Sequence, residues 1–364
     1  MSSKIFLLFA LLAYIPQFLA AQSGLELVHA DKSIGKVVAG EEIHIFSGHV
    51  MFRQDTLEMF CDEATLYEKQ DKLEFKGKVF ITDGKKKIQA GKIDYFTKTK
   101  DSFCYNAVKI KSKMDSLYAE YVKYNFRTDI AYARENLFIY DEDNIVRIWG
   151  FEGKYDPADK HSSVIKNTRF TKIDTASSDT LVITAQKLDY FGGEEPKAYA
   201  IDSVTILQGK LKAVCDSAVY FTKTELVSLN INPNAWYEDS EMNGNLIEAK
   251  FDSLDLKGIT VTGSSKAISL ADSIKKKYNE LKGKIIYFDI ENDQPKKITA
   301  VENASSIYYL KDEKTDQGTN YATSDTIIVF FTKGELDSIS IKGGSEGVFY
   351  PSDYKGTKVF EDEQ

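Results

Sequence analysis

The chain has 364 residues, of which 43% are hydrophobic and 28% charged, so it can bury a substantial core and is not disordered by composition. Lys and Arg total 47 against 55 for Asp and Glu, a net charge of −8 that lacks the basic excess of nucleic-acid binding proteins, and we expect no nucleic-acid partner. The 6 Pro and 22 Gly exclude a collagen-like or linker-rich chain, while 21 Tyr and 22 Phe favour β structure.

The N-terminal segment, residues 1–21, is predicted to be a cleaved secretory signal peptide. Lys4 is followed by an apolar run at residues 5–15, and small residues at Ala20 and Ala21 precede the expected cleavage point. A break in the apolar stretch leaves it short of the ~20 apolar residues that a membrane span needs. A retained anchor is therefore the less favoured alternative, and we expect an exported, periplasmic protein.

A segment of about six residues recurs along the chain, beginning with a small side chain and ending with an aromatic one. Six successive copies start 29 to 35 residues apart. The copies join the following residues: Cys61 and Tyr67, Ala90 and Tyr95, Ala119 and Tyr124, Gly150 and Tyr155, Ala185 and Tyr190, Cys215 and Tyr220, with a weaker copy at Gly283 and a degenerate one at Ala249.

A second segment alternates with the first and consists of Gly, Asn or Ser followed by a short β-branched run. Copies include those at Gly48, Gly77, Asn106, Asn136, Ser203 and Gly347. Both kinds of segment are short, rich in Val, Ile, Tyr, Phe and Thr, and bounded by polar turns, which predicts strands rather than helices. Asp83 and Gly84 form a hairpin signal between two of them.

Two strands per period predict an all-β, elongated antiparallel fold of about twenty strands in two facing sheets. We expect one continuous domain over residues 22–350, about 50 Å long at ~4.8 Å per strand, followed by a polar tail at residues 351–364. The register is ambiguous, because Ala90 and Tyr95 are five apart whereas Cys61 and Tyr67 are six apart. A bulge or bend in mid-strand would reconcile the two.

The alternating pattern, small-Asp-x-Ala-x-x-Tyr from Cys61 and Gly-x-Val-x-hydrophobic from Gly77, resembles the organic solvent tolerance family of periplasmic lipopolysaccharide transport proteins. The resemblance covers the A-type and C-type proteins and the N-terminal domain of the D-type protein. It implies a β-jellyroll, or folded-over "taco", whose apolar interior shields the acyl chains of lipopolysaccharide on the way to the outer membrane. It also implies edge-strand pairing with like-folded proteins at both membranes, self-association, and membrane association through those partners.

The lipid-binding groove that the resemblance implies is assigned to inward-facing positions of the repeat. The predicted lining residues are Val50, Phe52, Val79, Ile81, Tyr95, Val108, Ile110, Tyr124, Leu137, Ile139, Tyr155, Tyr190, Val204, Ile206 and Tyr220. The tyrosine column is open to two interpretations, namely packing between strands or a platform for ligand. Basic triplets at 85–87 and 275–277 either meet anionic head groups or are solvated hairpin tips that guard against aggregation.

No catalytic motif occurs in the sequence, so we expect neither an enzyme nor a cofactor. His29, His44 and His49 with Asp62 could form a metal site, but their spacing fits no standard pattern, and we predict no metal. The three cysteines are predicted to be free thiols, since Cys61 and Cys215 occupy a repeat position that holds Ala elsewhere. The rival function is a structural or polysaccharide-binding envelope protein with a solid core.

Overall fold

The structure, a computed structural model, describes residues 24–113, 115–174, 179–272, 275–312 and 315–361. The predicted signal peptide at 1–21 lies outside them. The strands are β1 (Glu26–His29), β2 (Lys32–Val38), β3 (Glu41–Gln54), β4 (Leu57–Tyr67), β5 (Lys72–Thr82), β6 (Lys87–Phe96), β7 (Asp101–Lys111), β8 (Asp115–Asn125), β9 (Ala131–Asp141), β10 (Val146–Asp156), β11 (His161–Ile173), β12 (Thr180–Phe191), β13 (Lys197–Gln208), β14 (Leu211–Phe221), β15 (Leu226–Asn230), β16 (Asn234–Tyr237), β17 (Ser240–Asn243), β18 (Leu246–Asp252), β19 (Asp255–Asp272), β20 (Lys277–Glu291), β21 (Gln294–Asp312), β22 (Thr315–Thr332), β23 (Glu335–Lys342) and β24 (Glu346–Pro351). Two short 3₁₀ turns lie at Glu68–Gln70 and Val359–Glu361.

All 24 strands belong to one sheet in which every pairing is antiparallel, mostly between neighbours in the sequence. The predicted all-β antiparallel jellyroll is thus confirmed. The two facing sheets are halves of this single sheet, because the long strands bend in the middle. Wall A contains half-strands such as residues 72–76 and 92–96, and wall B contains half-strands such as 79–82 and 87–90.

The bend in each odd-numbered strand from β3 to β13 is made by two consecutive residues with positive φ, which we call a corner pair. Glycine, asparagine and aspartate tolerate this left-handed conformation best. Further corner pairs lie between β15 and β16, in β19 and β21, and between β23 and β24. In chain order, the corner pairs are residues 48–49, 77–78, 106–107, 135–136, 166–167, 202–203, 231–232, 263–264, 302–303 and 343–344. Gly347, predicted as a copy of this position, lies instead within β24, after the corner at 343–344.

The two kinds of bend affect the alternation of side chains differently, which explains the ambiguous register. In β5, Leu73 and Phe75 before the corner and Val79 and Ile81 after it are all buried. The corner pair leaves this alternation unchanged, whereas in β6 the buried residues pass from Ile88 and Ala90 to Ile93 and Tyr95, so the shift by one position lies at the bend of the even-numbered strands. The predicted mid-strand bend is present at this point.

The even-numbered strands bend at the small residues of the repeat. Ala90 lies opposite Val79 and Cys61 opposite Val50, each next to a register shift. A side chain larger than these would collide with the neighbouring strand, as at Gly150, where an added Cβ would lie 2.2 Å from Val164 Cγ1.

The degenerate repeat copy was placed one half-strand too far along the chain. Ala249 lies in β18 opposite Val227, within wall A and away from the bend. Gly244 takes the bend position instead, because a Cβ there would lie 2.7 Å from Val261 Cγ1.

The interior between the walls is one hydrophobic cluster that extends from Phe46 in β3 to Ile327 in β22. Since the long strands β3–β14 and β19–β22 each contribute to both walls, the body is on the order of 90 Å long at ~4.8 Å per strand. The expected 50 Å was too short because it assigned each strand to one wall only. The cysteines Cys61, Cys104 and Cys215 are free and buried in this interior.

Each end of the sheet presents two edge strands. β1 and β2 pair with the wall B and wall A halves of β3, and Val37 in β2 is 75% exposed. At the other end, β23 and β24 pair with the two halves of β22. The C-terminal tail returns over the last strand, where the buried Phe360 packs on Tyr350.

Candidate lipid-binding cavity

The two walls meet at the corners and are open along the opposite side, which we call the mouth. The hairpin loops of wall B, such as residues 83–86 and 142–145, face those of wall A, such as 126–130 and 157–160, across this mouth. In the first of these loops, the Asp83 carboxylate accepts the backbone N–H groups of Lys85 and Lys86 at 2.8 and 2.7 Å. The predicted hairpin at Asp83 and Gly84 is therefore present and rigid.

The tyrosine column of the repeat closes this mouth by hydrogen bonds from wall A to wall B. Tyr95 donates to Gln54 Oε1 at 2.7 Å. Tyr155 donates to Asp115 Oδ2 at 2.8 Å, and Tyr190 donates to Asp141 Oδ2 at 2.8 Å. We call these three contacts the tyrosine latches; they are specific polar bonds between strand ends far apart in sequence.

A fourth contact between wall A and wall B lies between the first two latches. Tyr124 donates to Asp129 Oδ1 at 2.8 Å within wall A, and Lys86 from wall B donates to the Tyr124 hydroxyl at 3.2 Å. Lys86 also forms an ion pair with Asp129. Tyr220 is the exception, since its buried hydroxyl has no hydrogen-bond partner among the described residues.

A cavity of about 800 Å³ lies at the mouth between the β5–β6 hairpin and β12. Its inner surface is apolar and includes Ile110, Leu117, Ala131, Ile139 and Ile148. This volume is within the range of small-ligand sites, which are mostly apolar with a few polar groups.

The rim of the cavity carries charges of both signs. Its lysines are Lys85, Lys86, Lys113 and Lys160, and its acids are Asp115, Asp129, Asp141 and Asp143. The fold thus places an apolar interior directly below a charged entrance, and this arrangement is suited to an amphipathic ligand.

Burial shifts the pKa values of the polar groups at the mouth. It raises the pKa of Asp115, an effect that the hydrogen bond from Tyr155 opposes. It also raises the pKa values of Tyr124, Tyr155 and Tyr190 well above that of a free tyrosine. These hydroxyls keep their protons at neutral pH and act as donors.

All fifteen residues predicted to line the groove belong to strands whose inner faces form the interior. Five of them line the cavity: Ile110, Tyr124, Ile139, Tyr155 and Tyr190. The other ten pack among neighbouring side chains of the continuous core: Val50, Phe52, Val79, Ile81, Tyr95, Val108, Leu137, Val204, Ile206 and Tyr220. Their role in binding lipid stays a prediction.

The basic triplets have different surroundings. Lys85 and Lys86 lie on the cavity rim, whereas Lys87 lies outside wall B with its Nζ 4.2 Å from the centre of the Phe80 ring. In the second triplet, Lys275 and Lys277 both contact Asp316.

Sequence reasoning missed the acceptors of the latches. Asp115 begins a wall B half-strand and Asp141 ends one, and neither belongs to the repeat that reveals the tyrosines. The sequence does show that each acid lies at the end of a strand. It identifies them as partners of the tyrosines only once the bend places these strand ends on the wall opposite the tyrosine column.

A bent antiparallel sheet around an apolar interior, with a lateral cavity under polar latches, defines a β-jellyroll. Residues 22–175 match the family of OstA-like proteins, and the predicted resemblance to the organic solvent tolerance family is confirmed. The matched segment ends just after β11 and includes most of the strands around the cavity.

Two further comparisons give less information. No curated protein matches the chain. Among solved structures, similarity is found to LptH, the LptA homologous periplasmic component of the lipopolysaccharide transport device of Pseudomonas aeruginosa, at 12% identity over 48% of this chain and 82% of that chain, with a TM-score of 0.17. At that score the likeness carries no argument here. Within the described part of the chain, no helix has the length and hydropathy of a membrane span.

Proposed function

We propose that this chain is a periplasmic, non-enzymatic lipopolysaccharide carrier that shields acyl chains between its walls during transport to the outer membrane. The observation that carries the proposal is the apolar cavity whose mouth is bridged by side-chain contacts, namely the latches and the Lys86–Asp129 ion pair. The OstA-like match over residues 22–175 supports the same assignment. No cofactor is needed, because sheltering an alkyl chain involves no bond making.

The energies favour opening of the mouth for such a ligand. Each hydrogen bond between the walls contributes about 1–3 kcal/mol, the upper end for bonds to charged groups. Sheltering a CH₂ group from water contributes about 0.8 kcal/mol, so an acyl chain of about a dozen carbons gains roughly 10 kcal/mol before entropic costs. One chain therefore offsets the opening of the latches around the cavity.

Site-specific photocrosslinking in living cells tests the proposal. A photoreactive side chain at Ile139, which lines the cavity, is expected to form lipopolysaccharide adducts. The same group at Tyr121, on the outer face of wall A, is the control and is expected to form none. Adducts at Ile139 no more frequent than at Tyr121 would contradict the proposal.

The packed interior on either side of the cavity favours one other function. Residues such as Phe75 and Ile206 are completely buried, as expected for a structural envelope protein with a solid core. A third photoreactive group at Ile206 distinguishes the carrier from the structural protein, because the interior of a carrier must open at Ile206 for lipid to move along it. Adducts at neither Ile139 nor Ile206 would favour the structural function.

The edge strands support head-to-tail association, with a second copy or with like-folded proteins at either membrane. β2 and β23 are the two free edges of wall A, and unpaired edges are templates for strand addition. A chain with both Lys36→Cys and Ser340→Cys is expected to form disulfide-linked multimers, whereas Lys36→Cys alone is limited to dimers. No species larger than the dimer would exclude self-association through these edges.

A further inference from the structure

The outer surface of wall B between β5 and β11 has an unusual composition. Its outward positions alternate with buried inward ones, as Phe80 and Thr82 do with Val79 and Ile81. Two rows of outward side chains run across the strands in register. The first contains Phe80, Gln89, Lys109, Tyr118, Phe138, Trp149 and Arg169, and the second contains Thr82, Lys87, Lys111, Ser116, Tyr140, Arg147 and Thr171.

These two rows, which we call the basic-aromatic face, contain no Asp or Glu. Their cations are Lys87, Lys109, Lys111, Arg147 and Arg169, and none of them has a carboxylate oxygen within 4.0 Å in the part of the chain that the structure describes. Such a face is unexpected in a chain with a net charge of −8. The nearest acid in register is Glu58 of β4, which lies opposite Thr82 and pairs with Arg53, and other nearby acids lie at the bends, such as Glu120, or in the hairpin loops, such as Glu142.

The outer surface of wall A shows the opposite arrangement. There Glu74 lies 2.6 Å from Lys76 Nζ and 3.2 Å from Lys92 Nζ, and Asp94 lies 3.1 Å from Lys72 Nζ. On these two strands of wall A the lysines are thus paired with acids in the sheet. The outer rows of wall B on the same strands have no such acids.

The rings of the basic-aromatic face cover one another. Phe138 stands between Tyr118 and Trp149, with ring centres 5.8 and 5.1 Å apart and planes tilted by only 35° and 34°. Arg169 lies over Trp149 at 5.6 Å, and Lys109 over Tyr118 at 5.1 Å. Stacking on the rings of a glycan needs free ring faces, which these contacts occupy, so the available features are the cations and the ring edges.

We propose that the basic-aromatic face docks the protein on a bilayer surface rich in anionic phospholipid. Seven adjacent strands make a surface about 30 Å wide at ~4.8 Å per strand, and its unpaired cations complement a uniformly negative plane. Trp and Tyr are the residues that lie preferentially at membrane interfaces. This docking goes beyond the proposed carriage of lipid, because the surface is outside the wall and does not take part in the cavity.

Co-sedimentation of the purified protein with vesicles tests the docking. Wild-type protein is expected to bind vesicles of phosphatidylglycerol and phosphatidylcholine in equal parts, to release as salt is added, and not to bind vesicles of phosphatidylcholine alone. Replacing Lys87, Lys109, Arg147 and Arg169 together by Gln is expected to weaken binding at least about tenfold. The matched control replaces Lys123, Arg134, Lys197 and Lys223, all on the wall A side, by Gln and is expected to bind as wild type does.

The outcomes are distinguishable from loss of folding, because the melting temperature and near-UV circular dichroism of both variants are recorded first. Equal binding by the wall B variant and the wild type would overturn the proposal. So would failure of the wild type to bind the anionic vesicles, including the case in which it binds purified peptidoglycan instead. Lipopolysaccharide crosslinking at Ile139 is unaffected by either result, so the two proposals fail separately.

Discussion

At the corner pairs, single residues determine whether a strand can turn from one wall into the other. Gly77 has φ of +72°, and a Cβ there would lie 2.6 Å from Asp62 Oδ2 and 2.9 Å from its Cβ. Ala107 adopts φ of +52° with a Cβ present at the second position of the corner pair in β7, where β5 has Lys78. Corner pairs are thus built from residues for which the left-handed conformation costs different amounts of free energy, and substitutions can measure the difference.

Gly77→Ala is expected to lower the free energy of unfolding by about 2 kcal/mol, because it adds both backbone strain and a collision. Gly84→Ala is the matched control, since Gly84 has φ of +81° but no atom within 4 Å of an added Cβ. Ala107→Gly is expected to be neutral or stabilising by up to about 1 kcal/mol. Urea unfolding measures all three, and equal losses at Gly77 and Gly84 would show that the contact with Asp62 is unimportant.

At the scale of elements, the strand ends are joined across the mouth by the tyrosine latches. Tyr155 and Tyr220 occupy equivalent positions in the repeat, but only Tyr155 has a partner, Asp115, at 2.8 Å. A comparison of the two isolates the contribution of one latch from that of a buried ring.

Tyr155→Phe is expected to lower the free energy of unfolding by about 1–3 kcal/mol, because it leaves the half-buried Asp115 carboxylate without its donor. Tyr220→Phe removes a hydroxyl without a partner in the described structure and is expected to be neutral or slightly stabilising. Thermal unfolding monitored by circular dichroism compares them. A larger loss for Tyr220→Phe than for Tyr155→Phe would contradict the assignment of the latch.

The ion pairs of wall A give an expected pH dependence. Burial raises the pKa of Glu74, but Lys76 and Lys92 outweigh it and lower the pKa to about 2. A carboxyl whose pKa is lower in the folded state stabilises the fold above its unfolded pKa of about 4.3, and the contribution is lost as the pH falls toward 2. Glu74→Gln is therefore expected to cost about 1–3 kcal/mol at pH 7 and to flatten the loss of stability between pH 4.5 and 2. An unchanged acid profile would show that Glu74 is not held by these lysines.

At the scale of the molecule, the strands, their antiparallel order and the single repeat could be predicted, because turn residues and apolar alternation are local signals. Gly48, Gly77 and Asn106 even marked the corners. The register could not be predicted, because the even-numbered strands shift their alternation by one position at the bend, as between Ala90 and Ile93, and this breaks the period of two on which strand patterns depend. Asp115 and Asp141 became identifiable as latch acceptors only after the bend had placed wall A opposite wall B.

The length of the molecule follows from the same bend. A strand shared by both walls makes the interior roughly twice as long as one strand per wall would, and most of it is packed by residues such as Phe75 and Phe170. The cavity beside β8 and β9 is the space that the proposed function assigns to lipid. Entry of lipid through this lateral cavity, rather than at the ends of the sheet, distinguishes the proposed carrier from a preformed open trough.

Filling the cavity is the measurement that tests the carrier function most directly. Ala131 is buried and lines the cavity, so Ala131→Trp is expected to occupy the space that an acyl chain would take. Thr205→Trp, on the outer face of wall B, adds the same ring outside the interior and is the control. Native mass spectrometry after incubation with lipopolysaccharide is expected to show bound lipid on the wild type and on Thr205→Trp but at least about tenfold less on a folded Ala131→Trp. Undiminished lipid on Ala131→Trp, or none on the wild type, would contradict the account.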